Sequence, residues 1–240
     1  MKKLLSIISI VTIFFVCSAL INNDISSTDN QIKLVRITEG EEITNLFYQN
    51  NVLVKTVSSN PSNDYSSVNE LLYEKNKLKK RMYYDLLSSG KKENLETITY
   101  NYNGNLISDE ISRTSDSTFF SSYKYNSDGR LKNKSEFNSK GLLQVTFEYS
   151  YYSNGNLQQE IETSGKDVQV TLYKAYDTKK NPFKQIYQNE LAVIDLVTLN
   201  NLLSFAETTF EYEYNKADFP NKIVEKENGV VISTKILEYQ

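Results

Sequence analysis

The chain has 240 residues, with 27 basic and 30 acidic side chains, one cysteine and no histidine. The absence of histidine excludes Ser-His-Asp and Cys-His catalysis and histidine-ligated zinc, copper or iron. A net charge of −3 argues against nucleic-acid binding, which needs a basic surface. The enzyme chemistry left open uses carboxylates, Tyr or Lys bases, or oxygen-ligated metals.

Residues 1–19 have the pattern of a secretory signal peptide. Two lysines precede the apolar run Leu4–Val16, which is shorter than the roughly 20 residues of a membrane-spanning helix. The run ends in Cys-Ser-Ala, which suits cleavage after Ala19. Cys17 also stands where bacterial lipoproteins are cut and lipidated, although Val16 is larger than the residue usual before such a cysteine. We predict an exported protein that is periplasmic, secreted or attached to the outer membrane as a lipoprotein. Its membrane contact would be through a lipid on Cys17 alone.

The rest of the chain predicts a disordered linker, residues 20–34, followed by a single β-repeat domain, residues 35–240. A domain of this length buries enough apolar surface to fold without disulfides. Cys17 is the single cysteine, so no disulfide within the chain can form.

A hairpin phrase recurs about every 25 residues within the domain, a spacing typical of repeated supersecondary units. Its clearest copies are Tyr123–Leu131 and Tyr149–Leu157, with a shorter copy at Tyr100–Leu106. Each copy has an aromatic strand with period-2 alternation, then an Asn-Gly or Asp-Gly turn that favours a tight hairpin. One apolar anchor marks each unit: Leu53, Leu78, Leu106, Leu131, Leu157, Phe183 and Phe219.

The alternation predicts which side chains share a face. On the aromatic strands we expect rows such as Phe147-Tyr149-Tyr151 to form the core face, rather than a platform for sugars or peptides. On the returning strands we expect one face to hold Leu131, Asn133, Ser135 and Phe137, and in the next unit Leu157, Gln159 and Ile161. The other face of the first returning strand would carry Lys132, Lys134 and Glu136.

Three segments need a separate interpretation. Residues 57–69 are polar and predict a loop. Residues 70–87 predict a hairpin turning near Lys75–Lys77, in preference to a helix. Residues 184–206 follow Pro182 and predict a short helix or packed loop that covers one end or face of the sheet.

The phrases Tyr176–Phe183 and Phe210–Ile223, with Asn200-Asn201 between them, resemble an exported bacterial lipoprotein family of unknown function with a porin-like fold. The resemblance covers about residues 35–240. The Tyr-x-Tyr-Asn-x-x-Gly-x-Leu unit also resembles the YD repeats of large secreted toxins and surface proteins. The family resemblance implies a strongly curved antiparallel sheet or barrel. It implies no known activity and no catalytic residues.

No candidate site in the sequence outweighs a structural explanation. The turn Asn126–Gly129 is rich in oxygen ligands but lacks the acid that a calcium loop needs, so turn chemistry explains it. Glu211 and Glu213 lie about 7 Å apart on one strand, a separation that suits an inverting glycosidase. Acids that alternate with aromatics are nevertheless typical of a solvated face. We predict no catalytic, metal or cofactor site.

The sequence therefore predicts an all-β fold: an antiparallel hairpin meander of about twelve to fourteen strands that curves into a barrel or half-barrel, with one short helix or packed loop. The strands look too short and too polar to span a membrane. We expect a non-catalytic binding or surface-interaction protein for a glycan, a peptide or an envelope protein. The alternatives are a structural part of an envelope assembly and, more remotely, a carboxylate-based glycoside hydrolase.

Overall fold

The computed structural model describes residues 32–186 and 193–240, and within them the chain forms a closed antiparallel barrel of 16 strands. Each strand pairs with its neighbours in sequence, and β1 pairs with β16 to close the sheet. None of the helices in these two ranges has the length and apolarity to cross a membrane. The strands are β1 Leu34–Glu39, β2 Glu42–Gln49, β3 Val52–Ser59, β4 Tyr65–Glu74, β5 Lys77–Leu87, β6 Lys92–Asn103, β7 Leu106–Arg113, β8 Thr118–Tyr125, β9 Leu131–Phe137, β10 Leu143–Tyr151, β11 Leu157–Ser164, β12 Asp167–Tyr176, β13 Leu202–Phe205, β14 Thr208–Tyr214, β15 Pro220–Glu227 and β16 Val230–Tyr239.

The meander and its curvature confirm the predicted class, and the closed barrel decides between barrel and half-barrel. The strand number is higher than predicted. Residues 57–69 are mostly strand, because β3 runs to Ser59 and β4 starts at Tyr65. Residues 70–87 form the expected hairpin, with Lys75 and Asn76 in its turn at positive φ. The predicted signal peptide, Cys17 and the linker up to residue 31 lie outside the described residues.

The described residues of the predicted insertion, 184–186 and 193–206, are only in part helical. A five-residue helix, α1 Pro182–Ile186, starts before it, and β13 occupies its last part. Phe183 therefore lies in α1, and Leu202 takes the anchor position of that unit. In the unit of β6 and β7 the buried anchor is Ile107 rather than Leu106.

The two ends of the barrel differ, and we name them by their connections. The repeat rim holds the hairpin turns after β2, β4, β6, β8, β10 and β14, and also the long connection from β12 to β13. The far rim holds the turns after the odd-numbered strands. The Asn-Gly and Asp-Gly turns of the three repeat phrases lie at the repeat rim. Their glycines have positive φ angles, as tight hairpin turns require.

A β-bulge follows the anchor at the repeat-rim hairpins and reverses the predicted faces of the returning strands. Tyr125 pairs with Leu131 while Lys124 pairs with Asn133, so Lys132 is an extra residue. The same shift follows the anchors Leu53, Leu78, Ile107, Leu157 and Pro220. Because side chains alternate along a strand, one extra residue moves the following side chains to the other face.

The prediction for the returning strands was therefore wrong beyond the anchor. Leu131 faces the interior, but Asn133, Ser135 and Phe137 face outward, while Lys134 pairs with the inward Phe147. In the next unit Leu157 is buried, Gln159 and Ile161 face outward, and Glu160 pairs with the inward Tyr149. The predicted aromatic row behaves as expected, since Phe147, Tyr149 and Tyr151 belong to the inner hydrophobic cluster.

A ring of tyrosine hydroxyls ties the strands together at the repeat rim. Tyr125 on β8 donates to the carbonyl oxygen of Ile107 on β7, and Tyr151 on β10 donates to that of Leu131 on β9. The donor–acceptor distances in the ring lie between 2.5 and 2.8 Å. The other bonds of this tyrosine ring join Tyr48 to Leu34, Tyr102 to Leu78, Tyr176 to Leu157, Tyr212 to Leu202 and Tyr239 to Pro220.

The apolar core lies at the repeat rim and is completed by the long connection. The anchors Leu53, Leu131 and Leu157 are at most 1 % exposed. A 16-stranded barrel is too wide for side chains from its walls to fill. Ile186, Val193 and Leu196 of the long connection belong to the same buried cluster as the wall residues, and they fill this end of the barrel.

Candidate functional site: the polar lumen

Charged side chains line the lumen directly beyond the apolar core. Four inward residues of the odd strands lie opposite inward residues of the neighbouring even strands, three of them tyrosines: Arg81 opposite Leu71, Glu110 opposite Tyr100, Lys134 opposite Tyr123 and Glu160 opposite Tyr149. They reach the interior because each follows a bulge. We call this layer the lumen floor.

The long connection adds a charge to the lumen floor. A carboxylate oxygen of Asp195 lies 3.2 Å from Nη1 of Arg81, although the two residues are 114 positions apart. Nε of Arg81 donates to Oδ1 of Asn69, also at 3.2 Å. The Arg81 side chain is 5 % exposed and that of Asp195 is 20 % exposed. A nearly buried guanidinium thus finds both a charged and a neutral acceptor.

The electrostatics of the lumen floor reflect this crowding. Burial raises the pKa of Glu110, although Lys134 and hydrogen bonds from Tyr123 and Ser121 oppose that effect. Burial also raises the pKa of Asp195, against the influence of Arg81. Burial alone would lower the pKa of Lys134, but the carboxylates of Glu136 and Glu110 more than offset it, and the pKa is raised. The floor therefore favours a protonated Lys134 and makes the carboxyl groups of Glu110 and Asp195 harder to ionise.

The exposed fraction of the inward side chains varies, and Lys235 and Glu225 near the far rim are only 16 % and 6 % exposed. The fraction is 5 % for Arg81, 20 % for Asp195 and 24 % for Lys134, and 38 % for Glu136, which is one inward position nearer the far rim. At the far rim Glu39 reaches 45 %. Because these side chains point into the barrel, their accessible surface faces the lumen. The side chains of Asp195, Lys134 and Glu136 therefore keep part of their surface accessible inside the barrel.

Acids outnumber bases among the inward strand positions. The inward cations are Arg81, Lys134 and Lys235. Burial and the neighbouring Glu162 raise the pKa of Glu160, and burial raises that of Glu225 against the effect of Lys235. The inward acids, in addition to Asp195, include Glu39, Glu96, Glu110, Glu136, Glu160, Glu162 and Glu225.

A second polar cluster fixes the long connection to the repeat rim. Asp177, at the end of β12, accepts hydrogen bonds from the backbone and side chain of Asn201 and from the hydroxyl of Tyr214. Asn156, which is fully buried, donates to Oδ1 of Asn200 at 3.2 Å. These bonds join three elements that the sequence separates, and their effect is to hold the connection in the barrel.

The candidates taken from the sequence lie outside the lumen. Glu211 and Glu213 face outward, and each pairs with a lysine, Lys226 and Lys222 respectively. Asp128 in the β8–β9 turn accepts hydrogen bonds from the backbone and side chain of Arg130, and this side-chain bond is the main reason its pKa is lowered. Within the described ranges no group of three or more Cys, Asp or Glu residues is placed to hold a metal ion.

Sequence reasoning missed the lumen residues for a clear reason. Alternating Lys and Glu on β9 and β11 is typical of a solvated outer face, and a bulge has no residue signature of its own. The spacing from the turn glycine to the anchor gave no consistent signal, since it is two residues after Gly129 and Gly155 but three after Gly104.

Comparison with solved structures supports the fold. The chain resembles a porin-like protein from Bacteroides uniformis with a TM-score of 0.54 and 11% sequence identity, over 87% of this chain and 95% of that one. A porin-like protein from Bacteroides vulgatus aligns over 87% of this chain and 99% of that one, at 16% identity and a TM-score of 0.41. No protein-family model matches the chain, and neither does any curated protein. The chain thus has the barrel architecture of a porin-like protein.

Proposed function

We propose that this protein is an exported, non-catalytic binding protein that takes a small polar ligand into the lumen through the far rim. The observation that carries the proposal is the exposure of Asp195 and Lys134. Both side chains lie at the lumen floor, against a core that closes the repeat rim, yet they remain accessible. Such a blind, solvated recess lined by charged and aromatic groups is a common form of ligand site.

The charge of the lumen favours a cationic ligand. The inward acids outnumber the inward cations along the strands, and burial together with the neighbouring Glu162 raises the pKa of Glu160. A ligand with an ammonium group would relieve that repulsion. Aromatic rings in the same wall favour the same chemistry: Nζ of Lys134 already lies 5.7 Å from the ring centroid of Phe147 and 2.6 Å from a carboxylate oxygen of Glu136.

The outer surface supports a protein that works in water rather than one embedded all round in lipid. The outward positions of β14 and β15 carry the pairs Glu211–Lys226 and Glu213–Lys222, at 2.5 and 2.6 Å. Charged outward residues at the middle of a lipid-facing wall are costly. The proposal therefore keeps the exported location, with a periplasmic, secreted or lipid-anchored protein as the forms that follow from the N-terminal sequence.

A binding screen with matched variants tests the proposal. The mature protein would be screened by thermal shift against small amines, basic dipeptides, neutral sugars and carboxylic acids, and positives measured by calorimetry. We expect an amine to bind, and Glu160→Gln/Glu162→Gln to weaken it at least tenfold. The control Glu211→Gln/Glu213→Gln removes the same charges from the outer face and should leave affinity unchanged. Binding that survives the lumen variant, or no binding by any class, contradicts the proposal.

A further inference from the structure

The outer wall of the barrel carries its charges unevenly. On β14 and β15 the outward positions include Glu211, Glu213, Lys222 and Lys226, and on β1 and β16 they include Arg36 and Glu238. Along β8 to β12, by contrast, most outward positions are apolar or hydroxyl side chains. We call this sector the low-charge face. Its outward apolar residues are Phe120, Phe137, Leu143, Ile161, Val168, Val170 and Leu172.

The apolar residues of the low-charge face form two groups of neighbouring side chains that are partly or largely exposed. Phe120 pairs with Phe137, and Phe137 pairs with Leu143, so these side chains are neighbours across three strands. Ile161 pairs with Val170 in the same way. Val168, Val170 and Leu172 are 62 %, 50 % and 48 % exposed. Five adjacent strands span roughly 20 Å, which is wide enough to rest on a flat partner.

Lysines border the low-charge face at both ends of the barrel. Lys140 and Lys166 lie in the exposed turns of the far rim, and Lys174, Lys124 and Lys132 are exposed toward the repeat rim. Glu148 is the acid among the outward strand positions of this sector, and Asp116 and Asp167 lie beside the far-rim turns. The face is locally positive although the whole chain is acidic.

We propose that the low-charge face is a membrane-surface contact that rests on an anionic bilayer. An exposed apolar surface bordered by lysines matches the chemistry of peripheral membrane binding, in which side chains enter the interface and ammonium groups meet phosphates. The charged outward positions of β14, β15 and β1 then face water. This contact would add a second membrane attachment to that of a lipid on Cys17. About 16 residues separate Cys17 from Lys33, and they span at most roughly 55 Å when extended.

Vesicle sedimentation with three variants tests the inference. The mature protein and its variants, all with the same N-terminus, would be mixed with phosphatidylcholine vesicles with or without about one-third phosphatidylglycerol. We expect Val168→Ser/Val170→Ser/Leu172→Ser to lower partitioning about tenfold or more. Lys140→Gln/Lys166→Gln/Lys174→Gln should lower it on anionic vesicles alone, by about fivefold per lysine. The control Val224→Ser/Ile236→Ser, on β15 and β16, should bind as the unchanged protein does.

Several outcomes overturn the inference. If the control variant loses as much vesicle partitioning as the face variants, the loss does not depend on this face. If neither face variant changes partitioning, the N-terminus accounts for vesicle binding. Light scattering without vesicles tests the remaining alternative. If the unchanged protein is a dimer and the Val168→Ser/Val170→Ser/Leu172→Ser variant is a monomer, a second copy of the chain occupies this face. Circular dichroism confirms that each variant is folded before it is counted.

Discussion

The tyrosine ring makes a quantitative prediction about what holds the barrel closed at the repeat rim. Tyr125→Phe removes the hydroxyl that donates to the carbonyl oxygen of Ile107 at 2.5 Å and leaves the aromatic side-chain ring of residue 125 in place. A neutral hydrogen bond contributes about 1 kcal/mol net, and a buried acceptor that loses its donor adds to the cost. We therefore expect Tyr125→Phe to lower the free energy of unfolding by about 1–1.5 kcal/mol.

Because the ring repeats, the same cost should recur around the barrel. Tyr48 on β2 and Tyr151 on β10 lie in well-separated parts of the sheet, so Tyr48→Phe/Tyr151→Phe should cost the sum of the two single changes, about 2–3 kcal/mol. At this chain length each kcal/mol corresponds to a fall in Tm of about 2–4 °C. The predicted fall for the double variant is therefore roughly 4–12 °C.

Urea unfolding followed by circular dichroism measures these differences, provided that the m-value stays constant. Tyr65→Phe is the matched control, since Tyr65 is 38 % exposed and lies at the start of β4, at the far rim. It should change stability by less than about 0.5 kcal/mol. The reasoning fails if Tyr125→Phe costs no more than Tyr65→Phe.

The same tyrosines predict the response to alkali. Burial raises the pKa of Tyr125, aided by Tyr102 and Glu110, and burial raises that of Tyr239, aided by Tyr48, above the ordinary value of 10.0. The folded state therefore holds these protons more tightly than the unfolded chain does. Their contribution to stability is complete below about pH 10 and is lost as the pH rises through the folded-state pKa. Tyr125→Phe should make the alkaline decline less steep.

Three further predictions concern the turns and the lumen. Gly155→Ala should cost about 1–2 kcal/mol in thermal unfolding, because Gly155 has a φ of +89° in its hairpin turn, and equal stability would contradict this. Arg81→Met should cost about 3 kcal/mol in urea unfolding, because it leaves Asp195 without its cation, whereas Arg81→Met/Asp195→Leu should recover most of the loss. Burial and Glu162 raise the pKa of Glu160, so the ionised form of Glu160 opposes folding. The stability that its protonation contributes is lost as the pH rises through that raised pKa. Glu160→Gln should therefore stabilise the protein at pH 7.5 but not below the ordinary pKa of 4.5.

The sequence was sufficient for the parts of the fold that depend on local chemistry. Asn-Gly and Asp-Gly turns located the hairpins, and the alternation of Phe147, Tyr149 and Tyr151 located the inner face of an aromatic strand. Barrel closure depends on how twist accumulates over 16 strands, and no single residue encodes it. The placement of Asp195 beside Arg81 likewise arises only when the sheet closes around the long connection.

The bulges explain why the candidate site was the least predictable part. On β9 the pattern Lys132, Lys134, Glu136 satisfies a solvated outer face and a solvated lumen equally well, because both are polar. Which one forms depends on a single extra residue after Leu131. Hydrophobic alternation specifies the strand register where one face of the sheet is apolar. Where both faces are polar, the alternation does not show which residues face inward.

The two halves of the interior follow from the width of the barrel. At the repeat rim the anchors alone cannot meet across 16 strands, so the long connection must supply Ile186, Val193 and Leu196 to bury them. Among its described residues, Asp195 brings the segment to the ion pair with Arg81. Charges without such partners are too costly to bury in a dry interior, so the glutamates beyond this point require water around them. The break in the repeat thus seals one end of the barrel, and the bulges keep the other end wet. The place where these two features meet, the lumen floor, is where a ligand would bind.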